Sequence, residues 1–229
     1  MRTREYGQAC SLAHALDRVG ERWTLLIVRE LSLGPMRFST LVRSVGGAPT
    51  DVLTKRLREL EQHGMVRRRE LDSQSAVSVY ELTDLGRGLE RSMVELARWG
   101  MRVQKLEDIA DLAPSTLPSA MRVALQPPAD FTMTLGLNTG GKDYRLHMED
   151  GWISISREGA EDANLVLTGE PVAVIAALLI GEPAEDMVEI EGERELLGQL
   201  RTMIVLPEHL REEAEAAAAA AMATAPSPA

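Results

Sequence analysis

Residues 49–75 read PTDVLTKRLRELEQHGMVRRRELDSQS. Pro49-Thr50 opens a helix, with Thr50 as its expected N-cap, and Gly64 closes it. On a helical wheel at about 100° per residue, Leu53, Leu57 and Leu60 fall within roughly 60° of one another. Asp51, Thr54, Lys55, Arg58 and Gln62 fall on the opposite side, between about 100° and 200°. One face anchors the helix and the other presents polar and cationic groups. That is the layout of a recognition helix in a helix-turn-helix, whose N-terminal part enters the major groove; a solvated amphipathic helix has the same pattern. Arg56 falls beside the apolar stripe, where pairing with a carboxylate of its own domain is expected in place of a base contact.

The segments MVRRREL and VSVYELT then read as two strands around a polar tip at 72–76. Alternation puts Arg67 and Arg69 on one face and Arg68 on the other, so the three cannot share one phosphate row. Arginine suits bidentate phosphate contact or a narrow minor groove. Ser73, Gln74 and Ser75 at the tip offer small polar groups for the same purpose. A polar edge hairpin is the alternative. Upstream, Leu12, Leu16 and Val19 mark one helix, and ERWTLLIVRELSLG a second, central one, stopped at Gly34-Pro35. Phe38, Leu41 and Val42 mark a short third, on which Ser39 is a further candidate DNA contact. Helices followed at once by a hairpin give the winged-helix order. A long helix is expected from about Leu85 to Glu107, with Leu89, Met93, Leu96 and Val103 on one side.

The stretches CSLAHALDRVGERWTLLIVREL, GPMRFSTLVRSV, VLTKRLRELEQHGMVRRR and VYELTDLG resemble the HxlR-type winged-helix transcriptional regulators, relatives of the MarR group, over roughly residues 8–106. The resemblance implies sequence-specific binding of double-stranded DNA at a two-fold-related operator by a homodimer. It places the dimer interface on Ala9–Val19 and Leu85–Lys105, including Leu12, Leu16, Leu89, Met93, Leu96 and Trp99. The predicted DNA contacts are then Ser39, Thr50, Asp51, Thr54, Lys55, Arg58, Arg67, Arg69, Ser73, Gln74 and Ser75. Cys10 stands where this family often carries an N-terminal cysteine, which in some members senses electrophiles or oxidants. A reactive thiol needs a helix N-terminus or a cation nearby, and Cys10 directly precedes a helix with Ser11 as its expected N-cap. The other reading of Cys10 is a small buried apolar residue at the interface.

The composition agrees with a divided protein. The 229 residues carry a formal net charge of −10, yet residues 1–106 hold 18 Lys+Arg against 13 Asp+Glu, a net +5, and residues 107–229 hold 7 against 22, a net −15. Basic character therefore sits where DNA contact is expected. Apolar residues make up 45% and aromatics 3%, so aliphatic packing must form the cores. The single cysteine excludes an internal disulfide and suits a reducing compartment. With no signal-like h-region, and no apolar run as long as a bilayer needs, a soluble cytoplasmic protein without membrane contact is expected.

Past a linker expected at 109–119, the period changes from helical to alternating. FTMTLGLNT places Phe131, Met133, Leu135 and Leu137 on one side, and Glu149-Asp150-Gly151 reads as a hairpin turn. ANLVLTG is a further strand, followed by helices at Pro171–Ile180 and near Glu193–Met203. FTMTLGLNTGGKDYRLHMEDGWISIS, DANLVLTGEPVAVIAALLIGEP and VEIEGERELLGQLRTMI resemble the sterol-carrier-protein-like fold, a sheet covered by helices around an apolar pocket. That resemblance implies an apolar or lipid-like effector, with Phe131, Met133, Leu135, Trp152, Ile175, Leu179, Leu200 and Met203 as candidate pocket residues; each also fits ordinary core.

No catalytic constellation, metal site or cofactor is expected. His14, His63, His147 and His209 are dispersed. Asp143, Glu149 and Asp150 lie at turns, and Gly140-Gly141 lacks the strand and helix of a nucleotide site. The expected fold is α+β. A winged helix-turn-helix domain over 1–108 precedes the linker, a sterol-carrier-like α+β domain follows over 120–206, and a Glu/Ala-rich helical then disordered tail covers 207–229. The expected function is a dimeric, ligand-responsive DNA-binding regulator, not an enzyme. The alternatives are a thiol redox sensor acting through Cys10 with a structural second domain, and an apolar-ligand carrier that does not bind DNA.

Overall fold

The computed structural model describes residues 5–72, 75–105, 107, 115–157, 159–179, 181, 185–214 and 216, with the backbone alone at 71, 72, 75 and 76. Ser73, Gln74, the Ser75 side chain, linker residues 109–114 and the tail beyond 216 lie outside the described residues. The chain divides into two compact units, Met1–Met93 and Val94–Ala229.

The first unit runs α1 (Ser11–Val19), α2 (Thr24–Leu31), α3 (Phe38–Val45), α4 (Thr50–Gln62), β1 (Val66–Asp72), β2 (Ser75–Leu82) and α5 (Asp84–Arg87), and ends within α6 (Leu89–Met101). Ile27, Val28 and Leu31 of α2 form the centre of its core with Leu41 and Val45 of α3, Leu53, Leu57 and Leu60 of α4, and Val66 and Leu82 of the hairpin. The leucine triplet read from the wheel is thus the buried face of α4. β1 and β2 pair antiparallel, with Val66 opposite Leu82 and Arg67 opposite Glu81. Met36 adds an isolated bridge to β2: its N–H donates to the Tyr80 carbonyl at 2.9 Å, and the Tyr80 N–H donates back at 2.7 Å.

Three local expectations are corrected. α4 starts at Thr50 itself; Pro49 precedes it in extended conformation and no side chain caps the helix. Proline supplies the extended entry that a capping hydroxyl was expected to mark. α2 is shorter than expected because Trp23 takes a left-handed conformation, φ 77°, at its start. The single helix expected from Leu85 is broken. Thr83 caps the short α5, accepting from the Gly86 N–H at 3.3 Å, Gly88 ends it, and α6 then stops at Met101.

In the second unit, α7 (Leu117–Ala124) precedes β3 (Met133–Thr139), β4 (Lys142–Glu149), β5 (Trp152–Ser156) and β6 (Leu165–Thr168). Then come α8 (Pro171–Leu179), β7 (Glu189–Gly192) and α9 (Glu195–Thr202). Residues 117–119, expected in the linker, are the first turn of α7, with Leu117 and Pro118 buried. The five strands order as β5-β4-β3-β6-β7, with β3 and β6 parallel and the other pairs antiparallel. Two hairpins share one turn design: Gly140-Gly141 between Thr139 and Lys142, and Asp150-Gly151 between Glu149 and Trp152. All four turn residues have positive φ, from 50° to 70°, as a two-residue type I′ turn requires. Leu135, Leu137, Tyr144, Leu146, Met148, Leu165 and Leu167 are fully buried in this unit.

Candidate nucleic-acid interface

With Leu53, Leu57 and Leu60 packed inward, the other side of α4 is left to solvent. Asp51, Lys55 and Arg58 are exposed there, as are Thr50 at the helix start and Ser39 on α3. Lys55 has a loose i,i+4 pair with Glu59, N–O 3.8 Å. Thr54 is half-buried, and its hydroxyl donates to the Thr50 carbonyl at 2.7 Å. That leaves Thr54 its oxygen lone pairs and methyl group for any contact beyond the helix. Arg56 behaves as expected from its place on the wheel. Only 12% exposed, it donates to Glu59 at 2.5 Å and to Glu21 at 2.9 Å, tying α4 to the turn before α2.

The hairpin strands place Arg67 and Arg69 together, as alternation requires. Both turn to Glu81 on β2: Arg67 Nε donates to Oε1 at 2.7 Å and Arg69 Nε to Oε2 at 3.1 Å. Burial pushes the Glu81 carboxyl up, but the hydrogen bonds and charges of the two arginines outweigh it and hold it below its ordinary value. Arg68 points to the other face, where its Nε donates to the Ser78 hydroxyl at 2.7 Å. Glu81 is absent from the sites expected from sequence. Its signal was available only through the pairing register, which sets Glu81 directly across from Arg67.

The HxlR-like helix-turn-helix family matches residues 18–108, which hold α4 and the hairpin. A helix-turn-helix transcriptional regulator of Mycobacterium tuberculosis is 43% identical over 90 residues, 39% of this chain and 56% of that protein. The chain thus spans little more than half the length of the first curated relatives it matches. The regulator YodB of Bacillus subtilis is 33% identical over 85 residues, 37% of this chain and 76% of that protein. The chain belongs to the HxlR-like helix-turn-helix family. The structure of the reduced form of YodB superposes with a TM-score of 0.39 at 29% identity, covering 42% of this chain and 93% of the other.

Outside the recognition helix and wing, the HxlR-like resemblance singled out two helices and a thiol. On α1, Leu12 and Leu16 are exposed; on α6, Leu96 and Trp99 are exposed, Trp99 at 62%. Leu89 and Met93 instead pack against the core of the first unit. Cys10 is exposed and is itself the N-cap of α1, one residue earlier than expected. No side-chain cap hydrogen bond forms, yet the backbone N–H groups of Ala13 and then Leu12 favour its thiolate and lower its pKa.

The eight residues expected to line an apolar pocket separate by burial. Met133, Leu135 and Leu200 are fully enclosed in core, and Met203 is nearly so. Phe131, Trp152, Ile175 and Leu179 are half-buried. Trp152 lies under the Arg122 guanidinium, 5.5 Å from its ring centre. Of the eight, Leu179 borders a described cleft, whose other walls are Leu178, Arg201, Ile204, Leu206, Arg211 and Ala214. Arg201 is held there by Glu185 at 2.5 Å and by the Ala177 carbonyl at 2.7 Å. Among the described residues no group of three or more His, Cys, Asp or Glu is placed to hold a metal ion, and no helix is long and apolar enough to cross a membrane.

Proposed function

We propose that this protein is a dimeric DNA-binding transcriptional regulator that is not an enzyme. One observation carries the reading: exposed Lys55 and Arg58 lie on the outer side of a helix whose other side is core, and the hairpin that follows carries exposed Arg67 and Arg69 on one face. α4 would enter the major groove and the wing would meet the phosphate backbone. Homodimerisation is supported by the uncovered apolar side chains of α1 and α6, in a family whose relatives are named as transcriptional regulators. The test is a salt titration of full-length protein on a duplex from the DNA upstream of its coding sequence. Each phosphate contact steepens the dependence of log K on log salt by about 0.9. Arg67→Gln/Arg69→Gln is therefore expected to flatten the slope by between one and two units; a slope equal to wild type removes the wing from the interface.

The second unit is read as an effector domain of sterol-carrier-like architecture, supported by its single five-stranded sheet, the buried apolar residues of α8 and α9, and the part-apolar cleft beside Leu179. Adding a long-chain fatty acid to the same titration is expected to move the binding midpoint, and an unmoved midpoint counts against that class of effector. A second reading, thiol control, is favoured by the exposure of Cys10 at a helix N-terminus that favours its thiolate. Diamide treatment would then weaken duplex binding by wild type and leave Cys10→Ser unaffected; equal responses refute it.

A further inference from the structure

Glu81 is the one acidic side chain that accepts hydrogen bonds from both Arg67 and Arg69 among the described residues. Its own side chain is 9% exposed, whereas those of Arg67 and Arg69 are 66% and 46% exposed. A charge is thus sunk beneath two surface cations, each of its oxygens taken by a different arginine. Position 81 faces Arg67 in the β1–β2 register, and Arg69 stands two residues along the same strand, about 7 Å away. Among the described residues, each guanidinium meets Glu81 through its Nε–H and keeps its four terminal N–H donors outside that pair.

Two opposing effects follow from this arrangement. The carboxylate subtracts a positive charge from the wing, which weakens its attraction for DNA. It also fixes two long side chains that otherwise lose rotamer freedom when they meet a phosphate. A partly exposed ion pair adds little to stability, and position 81 on a strand would be served equally by a β-branched residue. The pairing is thus better accounted for by what it does to the arginines than by what it adds to the fold.

We propose that Glu81 is a positioning residue for duplex binding: its carboxylate sets Arg67 and Arg69 side by side on the wing so that their remaining donors meet the DNA backbone already ordered. This rests on the DNA-binding reading above. The two effects differ in sign, so Glu81→Gln separates them. The variant is one unit more positive, and charge alone makes it bind more tightly. Loss of positioning makes it bind more weakly, by about tenfold.

The experiment titrates full-length wild type and Glu81→Gln with the upstream duplex and with a mixed-sequence duplex of the same length. It repeats both in an Arg67→Gln/Arg69→Gln background. Weakening in the wild-type background that disappears without the arginines supports the proposal. Unchanged or tighter binding overturns it, and so does an equal loss in both backgrounds, which would mark a general structural defect. Where Glu81→Gln fails to fold by circular dichroism, Glu81→Asp carries the same comparison, with a shorter reach and the charge retained. In the absence of DNA, the Nε–Hε signals of Arg67 and Arg69 are expected to be restrained in wild type and averaged in Glu81→Gln. Averaged signals in wild type overturn the positioning role even when DNA binding is intact. Absence of wild-type binding to either duplex, with restrained signals, instead overturns the DNA reading and the role in it given to Glu81.

Discussion

Lys55→Ala/Arg58→Ala is expected to abolish most duplex binding without disturbing the fold. Both side chains are exposed on α4, opposite Leu53, Leu57 and Leu60, and neither contributes to the core. Truncating one groove-reading or phosphate-binding side chain of a recognition helix costs about 1–3 kcal/mol, so the double variant should bind about 100-fold more weakly. The Lys55–Glu59 pair is long and surface-exposed, and its removal costs little stability. Glu59 also keeps Arg56 as a partner, so no carboxylate is stranded. A gel-shift titration beside a urea unfolding curve reads both quantities. Equal affinity at equal stability would remove α4 from the interface and leave the wing to explain any binding.

Gly86→Ala is expected to destabilise the first unit severely. A Cβ at Gly86 would lie 2.1 Å from the Met65 carbonyl oxygen and 3.2 Å from Leu82 Cδ2. The obstacle is backbone at the start of the wing, so no side-chain rotation relieves it. Moving α5 away would strain the Thr83 N–H to Met65 carbonyl bond of 3.0 Å and the Thr83 hydroxyl to Gly64 carbonyl bond of 2.6 Å. Overpacking with the loss of such bonds costs about 2–4 kcal/mol, a large share of the roughly 5–15 kcal/mol that holds a domain folded. Gly88→Ala is the control. Its Cβ would meet the Leu85 carbonyl at 3.2 Å, and alanine gains helix propensity, so its cost should be far smaller. Equal losses for the two variants in urea melts would refute the close-approach account.

These two sites differ in how far the sequence announces them. The faces of α4 follow from the spacing of leucines and cations over a single helix, and Arg56 could be set apart because its wheel position alone put it beside the core. The same locality made β3 legible from alternation and the β4–β5 hairpin legible from its Asp150-Gly151 turn, whereas Gly140-Gly141, weighed only as a nucleotide loop, is the β3–β4 turn. Gly86 and Glu81 depend on partners distant in the chain. The break between α5 and α6 falls at Gly88, and the close approach of Gly86 to Met65 lies inside α5; the apolar spacing from Leu85 onward records neither. Glu81 gains its role from a register that only the folded hairpin sets. β7 was missed for another reason: Glu189–Gly192 is a short, charged edge strand, lacking the apolar alternation that marks the strands beside it. In the second unit, alternation identified which residues leave the solvent, but enclosure in core and exposure to a cleft produce the same pattern. Met133 on an alternating strand and Leu179 on a continuously apolar helix both read as apolar positions, and neither pattern separates core from cleft.

The bridge between Met36 and Tyr80 has a mechanical consequence. Two backbone hydrogen bonds join the residue just before α3 to the second strand of the hairpin. The hairpin is thereby tied near its base to the segment that leads into α3, and swinging it away from that segment would break both bonds. In the dimer proposed above, each protomer would meet its half-site as a single stiff jaw. On that reading, adjustment to half-site spacing would come from rotation of one jaw against its twin instead of bending of the wing.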